Sequence, residues 1–263
     1  MNQGIIERVF SRASVLAGFS PGDFTITPLA GYSNQNFRLH NHQYDWVLRI
    51  PRLKTDRFIN RDAEAHNQAL AHQLQIAPQV SWRDSQGVTL TPTLSTSRAL
   101  CTADFRNDAM LLLVLEPIQR LHRSGLPFRG RVNLQELLSN YFALLNRHDR
   151  QRLEPRLRQA ERVLKLLETR DEIYVASHND LVLENLMFDD PRLCLIDWEY
   201  SAMASPYWDL ASLCNAAHLD SQQSQRLLHI YCAGSSAMEE SLLFDYRGLL
   251  QLLGDCWMAA LAD

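Results

Sequence analysis

The sequence predicts a two-lobe α+β fold: an antiparallel sheet lobe at the N-terminus, then a larger and mainly helical lobe. Three observations carry this expectation. Short β-rich runs separated by turn residues fill the first third of the chain. A Pro92-led, Thr/Ser-rich stretch to Ser97 follows and looks like a linker. Beyond it, apolar residues recur at helical spacing over long segments, with a single non-helical island between 174 and 200. The boundary is therefore set at 94, with lobes 1–94 and 95–263. A chain of 263 residues, 46% of them hydrophobic, is long enough to bury a core in each.

Taken in order, residues 5–17 show an amphipathic helical pattern that Gly18 stops. Residues 24–30 read as a strand, 31–36 as a polar turn, and 37–40 and 44–50 as further strands, where Trp46, Val47 and Leu48 favour extended backbone. Residues 56–75 read as a helix closed by Pro78. Asp84-Ser-Gln-Gly87 between 80–83 and 88–91 signals a hairpin. Helices are expected at 103–124, 133–147, 151–169, 206–217, 221–232 and 238–261, with Asp108 inside the first and Pro117 kinking it. In the island, Asp189-Asp190-Pro191 turns a hairpin from 186–188 to 193–196.

Composition narrows the function. A net charge of −4 offers no global basic field for nucleic acid or acidic lipid. The longest apolar run, 109–115, is too short to span a bilayer, and the charged N-terminal segment lacks a secretory core. Five widely spaced cysteines without a C-x-x-C pattern fit a reducing cytoplasm. The remaining histidines show no metal-ligand spacing, and no G-x-S-x-G elbow is present.

The strongest chemical signal is His178-Asn-Asp180-x4-Asn185, followed twelve residues later by Asp197. Read as residues alone, these are either loop caps with a strand-ending acid or a magnesium-dependent phosphoryl-transfer set. Such transfer needs a carboxylate near the acceptor hydroxyl and hard oxygen ligands for the cation bridging the phosphates. Asp180 suits the first role. Asn185 and Asp197, at the two ends of one hairpin, suit the second. The hairpin and its terminal Asp favour the catalytic reading.

His178 to Asn185 with Ile196-Asp197-Trp198-Glu199-Tyr200 and the continuation to Trp208-Asp209-Leu210 resembles the aminoglycoside phosphotransferase/choline kinase superfamily. The order of elements is similar from about 24 to 245. The resemblance implies a protein-kinase-like fold and an ATP-dependent phosphotransferase using Mg2+. It further implies that Gly31, Ser33, Asn34 and Asn36 form the phosphate loop and that Arg49 stands where protein kinases carry Lys. Glu64 then pairs with Arg49, and Thr91 to Leu94 form the hinge that meets the nucleotide. His178 braces the loop around Asp180. No A-P-E segment follows Asp197, which argues against protein substrates.

The resemblance implies a small-molecule alcohol as acceptor. Glu199, Tyr200, Tyr207, Trp208 and Trp257 are the candidate linings, with Asn179, Glu184, Asp209 and Asp255 nearby in the motif or late helices. Carboxylates with aromatic faces suit a cationic alcohol. Choline or a related amino alcohol is the first expectation and thiamine the second; an aminoglycoside, a sugar, or a non-catalytic pseudokinase are the other readings. Trp257 is also readable as core, and the W-x-x-W pair of many choline kinases is reduced to Trp257. The sequence carries no signal for oligomeric state.

Overall fold

A computed structural model describes residues 3–31, 33–52, 59–94, 97–170, 173–189, 191–232 and 238–262. Helix α1 (Gln3–Arg12) lays Ile6, Val9 and Phe10 against one face of a five-stranded antiparallel sheet. The sheet order is β1-β2-β3-β5-β4, built from β1 (Thr25–Leu29), β2 (Asn34–His40), β3 (Asp45–Pro51), β4 (Trp82–Arg83) and β5 (Thr89–Pro92). Strand alternation decides what faces where. Leu48 and Ile50 of β3 are buried with Leu39, Phe24 and Leu90, so Arg49 between them projects from the opposite face. That face looks onto the second lobe.

Helix α2 (Arg61–Gln73) starts with the Asn60 side chain accepting from the Ala63 amide, later than the expected 56; residues 56–58 lie outside the described set. It ends at Gln73 with Leu74 as its cap, and Gln75 just beyond has a left-handed φ of 59°. Ala71, Ile76 and Ala77 then enter the core of the helical lobe, and the Leu195 amide donates to the Ile76 carbonyl. Residues 71–77 are thus anchored in the hydrophobic cluster of the helical lobe.

The helical lobe contains α3 (Asp108–His122), α4 (Leu134–Leu144), α5 (Arg147–Glu168), α6 (Pro206–Ala216), α7 (Ser221–Tyr231) and α8 (Glu240–Ala262). Two short sheets supplement them: β6 (Arg98–Ala99) with the hairpin β8 (Leu186–Asp189) and β9 (Arg192–Leu195), and β7 (Val175–Ser177) with β10 (Ala202–Ala204). The hairpin matches expectation, whereas β6, β7 and β10 are too short to show a period in the sequence.

Three expectations are corrected. The segment 103–124 is a 3-10 turn (Thr102–Arg106) followed by α3, because the Asn107 side chain accepts from Ala109 and restarts the helix there; Asp108 opens the helix instead of lying inside it. Asn146 caps α5 by accepting from Asp149, so that helix begins before 151, and the preceding one stops at Leu144. The polar turn at 31–36 is shorter than read, since Asn34 already pairs with Pro51 in the sheet.

Ile76 is fully buried where the lobes' connection meets the helical core. Ile76→Ala is expected to cost about 2–5 kcal/mol, read as a lower urea midpoint with unchanged slope. An unchanged midpoint would contradict the anchoring.

Candidate active site

The island after β7 forms a loop whose backbone is fixed from several sides. His178 is fully buried; its ring packs 4.6 Å from Trp198, its Nε2–H donates to the Ile196 carbonyl at 3.0 Å, and Nδ1 accepts from the Asp180 amide at 3.3 Å. Burial holds the imidazole below its usual ionisation range. It is therefore a neutral brace. Trp198 is buried between His178 and Phe128 and donates to the Leu195 carbonyl.

A second brace comes from Asp209 on α6. Its carboxylate accepts from the His178 amide (2.9 Å), the Asn179 amide (2.7 Å) and His122 Nε2 (3.0 Å). Tyr231 donates to His122 Nδ1 at 2.7 Å, completing a buried chain. Burial alone would raise the Asp209 carboxyl, but the His122 bond and the neighbouring histidines and amides hold it low. The indole of Trp208 donates to the Asn179 carbonyl, and the Asn179 amide group to the Tyr200 carbonyl. Asn179 and Asp197 both adopt left-handed backbone, φ 65° and 63°, conformations that such a bonded frame can sustain.

Within this frame Asn185 Nδ2 donates to the Asp180 carbonyl (2.9 Å) and to Asp180 Oδ2 (3.1 Å). The Ile196 amide donates to the Asn185 carbonyl, which ties the loop to the segment bearing Asp197. Because its amide nitrogen turns to Asp180, the Asn185 side-chain oxygen is left for another partner. With an Asp197 carboxylate it makes a hard-oxygen donor pair suited to Mg2+, which takes one or two protein oxygens and fills its shell with water and phosphate. No cluster of three His, Cys, Asp or Glu poised for a metal occurs among the described residues, and such a magnesium site does not require one.

The sheet lobe contributes cations. Arg49 bonds the Glu64 carboxylate, donates to Asp197 Oδ1 at 2.8 Å, and lies 3.9 Å from Glu199. Glu64, from α2, also pairs with Arg61 at 2.7 Å and Arg83 at 3.3 Å. Arg61 reaches Glu199 at 3.5 Å, and Asn34 donates to Glu199 at 3.1 Å and to Asp197 at 3.4 Å. Burial opposes charge on Arg49, yet Glu64, Asp197 and Glu199 together raise its pKa. Glu64 is held low against its own burial by Arg49, Arg83 and Arg61.

Asp180 is the opposite case. Burial, with the charges of Asp197 and Glu199 added, pushes its carboxyl up to about 8. Glu199 is raised for the same kind of reason, burial first and Asp197 second. Three acidic groups thus converge, and for Asp180 and Glu199 the neighbouring charge adds to burial in opposing ionisation. A cation bound among them would relieve this.

The structure brings Asp180, Asn185, Asp197, Arg49 and Glu64 together as expected. Gly31 sits where a Cβ would meet Asn36 Nδ2 at 2.5 Å and the Asn34 carbonyl at 2.7 Å, so the turn demands glycine. Ser33 hydrogen-bonds Glu199. Asn36 caps the same turn by donating to the Ala30 carbonyl. Thr91 ends in β5 and Leu94 lies just beyond it, accepting from Ser97. Of the acceptor candidates, Tyr200 lies in electrostatic range of Asp180. Glu199 faces Asn34 and the arginines, a correction to its reading as an acceptor wall. Tyr207 is also corrected: its hydroxyl accepts from the Glu239 amide and its ring stacks on Tyr246. Trp208 braces Asn179, Trp257 packs partly buried on the core, Asp255 pairs with Arg156, and Asp209 is wholly internal. Sequence reasoning missed Arg83 and the His122–Tyr231 pair, whose partners lie far away along the chain.

These lobes and this loop define a kinase-like phosphotransferase. Residues 25–249 match the phosphotransferase enzyme family, and the chain belongs to it. Protein LicA of Haemophilus influenzae is 31% identical over 233 residues, which cover 87% of this chain and 69% of that protein. Two solved structures share the fold. A choline/ethanolamine kinase family protein from Mesorhizobium loti has a TM-score of 0.80 at 25% identity, covering 98% of this chain and 85% of that one. Choline kinase LicA from Streptococcus pneumoniae has a TM-score of 0.84 at 23% identity, covering 99% and 90%. The protein is a phosphotransferase acting on an alcohol group.

Because the folded state binds the Asp180 proton more tightly than an unfolded chain would, this group's contribution to stability is full below the ordinary carboxyl range. It is lost as pH rises through about 8. In the metal-free protein, carbon NMR should show one aspartate titrating near that value. Glu199→Gln removes a neighbouring negative charge and should move the titration to lower pH. A titration unmoved in the variant would contradict the coupling.

Proposed function

We propose that the chain is an ATP-dependent kinase that transfers the γ-phosphoryl group to the hydroxyl of a cationic alcohol, with choline as the first candidate. The observation that carries this reading is the convergence of the part-buried Asp180 and Asp197 within electrostatic range of Tyr200, with the buried Glu199, bonded by Asn34, adding its charge. Such a site favours cations, and an aromatic face next to carboxylates suits a quaternary nitrogen. The likeness to LicA and to choline/ethanolamine kinases supports the same choice.

In this reading residues 1–94 hold the nucleotide. The Gly31 turn and Ser33 approach the phosphates, Arg49 neutralises them while Glu64 fixes its direction, and backbone between Thr91 and Leu94 meets the base. Asn185 and Asp197 hold magnesium, which supplies charge neutralisation on the phosphate oxygens when bound. Asp180 accepts the hydroxyl proton as the acceptor oxygen bonds to the γ-phosphorus. The bond from that phosphorus to the bridging oxygen breaks, and ADP leaves with the electron pair. Asn185 fixes the Asp180 carboxylate through its amide. His178, Asp209 and Trp208 hold the loop so that no reorganisation is needed during transfer.

A cytoplasmic setting is part of the proposal: all five cysteines are free, and among the described residues no helix is long and apolar enough to cross a membrane.

The test is a comparison of acceptors by ADP release. Choline should be turned over far better than 3,3-dimethylbutan-1-ol, in which carbon replaces the nitrogen, and better than thiamine or a sugar. Tyr200→Ala should raise the choline KM with little change in the ATP KM. Equal turnover of the neutral isostere would overturn the cationic acceptor, and thiamine as the better substrate would replace choline by its nearest rival.

A further inference from the structure

A cavity of about 650 Å³ opens in the helical lobe, lined among others by Arg131, Arg170, Ser205, Trp208 and Tyr246. It lies apart from the reaction centre described above. Tyr174 and Ala204, at its wall, belong to the end of the β7–β10 pair remote from the catalytic loop, since Val175 pairs with Ala204 while Ser177 runs into His178.

Four features point to an anion there. Arg131 stacks its guanidinium 3.7 Å over the Tyr174 ring and is exposed, and no carboxylate pairs with it among the described residues. Stacking fixes the direction of the fork while leaving its donors open. Arg170 adds a second cation, shared at present with Glu239. The amino-terminal turns of α4 and α6 both open on the cavity, through Leu134 and Gln135 and through Ser205 and Trp208, so two positive dipole ends converge. Finally, Ser205 is only 7% exposed, and its hydroxyl neither caps its own helix nor bonds another described residue. Ser205 lines the cavity, where its hydroxyl is open to a ligand. Glu168 and, through Arg170, Glu239 offset charge at the mouth, and Arg131 is the guanidinium that no carboxylate pairs among the described residues. Below this polar mouth, Leu164, Leu167, Trp208 and Tyr246 provide buried apolar and aromatic walls.

We propose that this cavity is a second ligand site, which binds a phosphomonoester with an apolar or aromatic body: phosphate on Arg131, Arg170 and Ser205, body against Trp208 and Tyr246. The site communicates with the reaction centre through one side chain. The Trp208 indole that forms a wall also donates to the Asn179 carbonyl, the residue before Asp180. Occupancy therefore bears on the loop that holds the catalytic carboxylate, and turnover responds to the bound phosphomonoester without competition for the alcohol. The inference rests on the cavity and holds whatever alcohol is phosphorylated.

Phenyl phosphate is the probe, with benzoate and inorganic phosphate as comparison anions. Calorimetry on the full chain should give one phenyl phosphate per chain. Affinity should fall at least tenfold in Arg131→Ala and clearly in Ser205→Ala, two replacements outside the phosphoryl-transfer machinery. Inorganic phosphate should bind more weakly than phenyl phosphate, and benzoate more weakly too if the site prefers a dianion. The Trp208 indole N–H resonance, assigned with Trp208→Phe, should shift on binding. Phenyl phosphate should also change kcat in the wild type but not in Arg131→Ala, whose basal activity stays at the wild-type level. Absence of binding, or binding of equal strength in Arg131→Ala and the wild type, would overturn the site. Inhibition that choline or another acceptor competes away completely would overturn the coupling to the loop.

Discussion

Arg49 is held between carboxylates that belong to different parts of the fold, and the geometry of the whole site follows from that placement. Glu64 anchors the guanidinium from the helix behind the sheet, while Asp197 meets it from the helical lobe at 2.8 Å. Asn34 and Arg61 repeat the crossing by reaching Glu199. A buried ion pair is weak as a source of stability, because desolvation consumes most of the attraction. Its value here lies in direction: three arginines on Glu64 leave that carboxylate one arrangement, and Arg49 then has only one way to point. The sheet lobe thereby presents a fixed positive charge at the place where the helical lobe presents acids.

The acid side is organised by different means. Asp209 never faces solvent, yet it accepts two loop amides and a histidine that is itself bonded by Tyr231. Loop amides satisfied by a buried carboxylate cannot shift without stranding a charge. This explains how Asn179 and Asp197 keep left-handed backbone beside Asp180. The rigid frame holds Asp180 and Glu199 where neighbouring charge opposes their ionisation. In the proposed reading this one arrangement serves metal, acceptor and proton transfer.

Much of this was legible in the sequence because it is local. The spacing from His178 to Asn185 and the hairpin ending at Asp197 lie in one continuous stretch, and the strand at 44–50 fixes by simple alternation that Arg49 faces away from Leu48 and Ile50. The illegible part depends on long-range assembly. Nothing near Arg83 signals Glu64, which lies on another element. Glu199 follows the metal-binding motif and reads naturally as an acceptor wall, but the turn after Trp198 directs it to Asn34. Tyr207 reads likewise, but helix α6 carries it to Tyr246 instead. Asp209 looks like a pocket acid until its three internal donors are seen. Short strands such as β7 and β10 escape notice because three residues carry no period.

The account stands on Asp180 acting at the acceptor hydroxyl inside this frame. Phosphorus NMR of the protein with ATP, magnesium and choline tests it most directly, alongside Asp180→Asn, which preserves the shape of the side chain and removes its basicity. The wild type should convert the γ-phosphoryl signal into a phosphomonoester, and the variant should bind ATP with unchanged affinity while forming product about a hundredfold or more slowly. Product formation by Asp180→Asn at the wild-type rate would contradict the account at its centre.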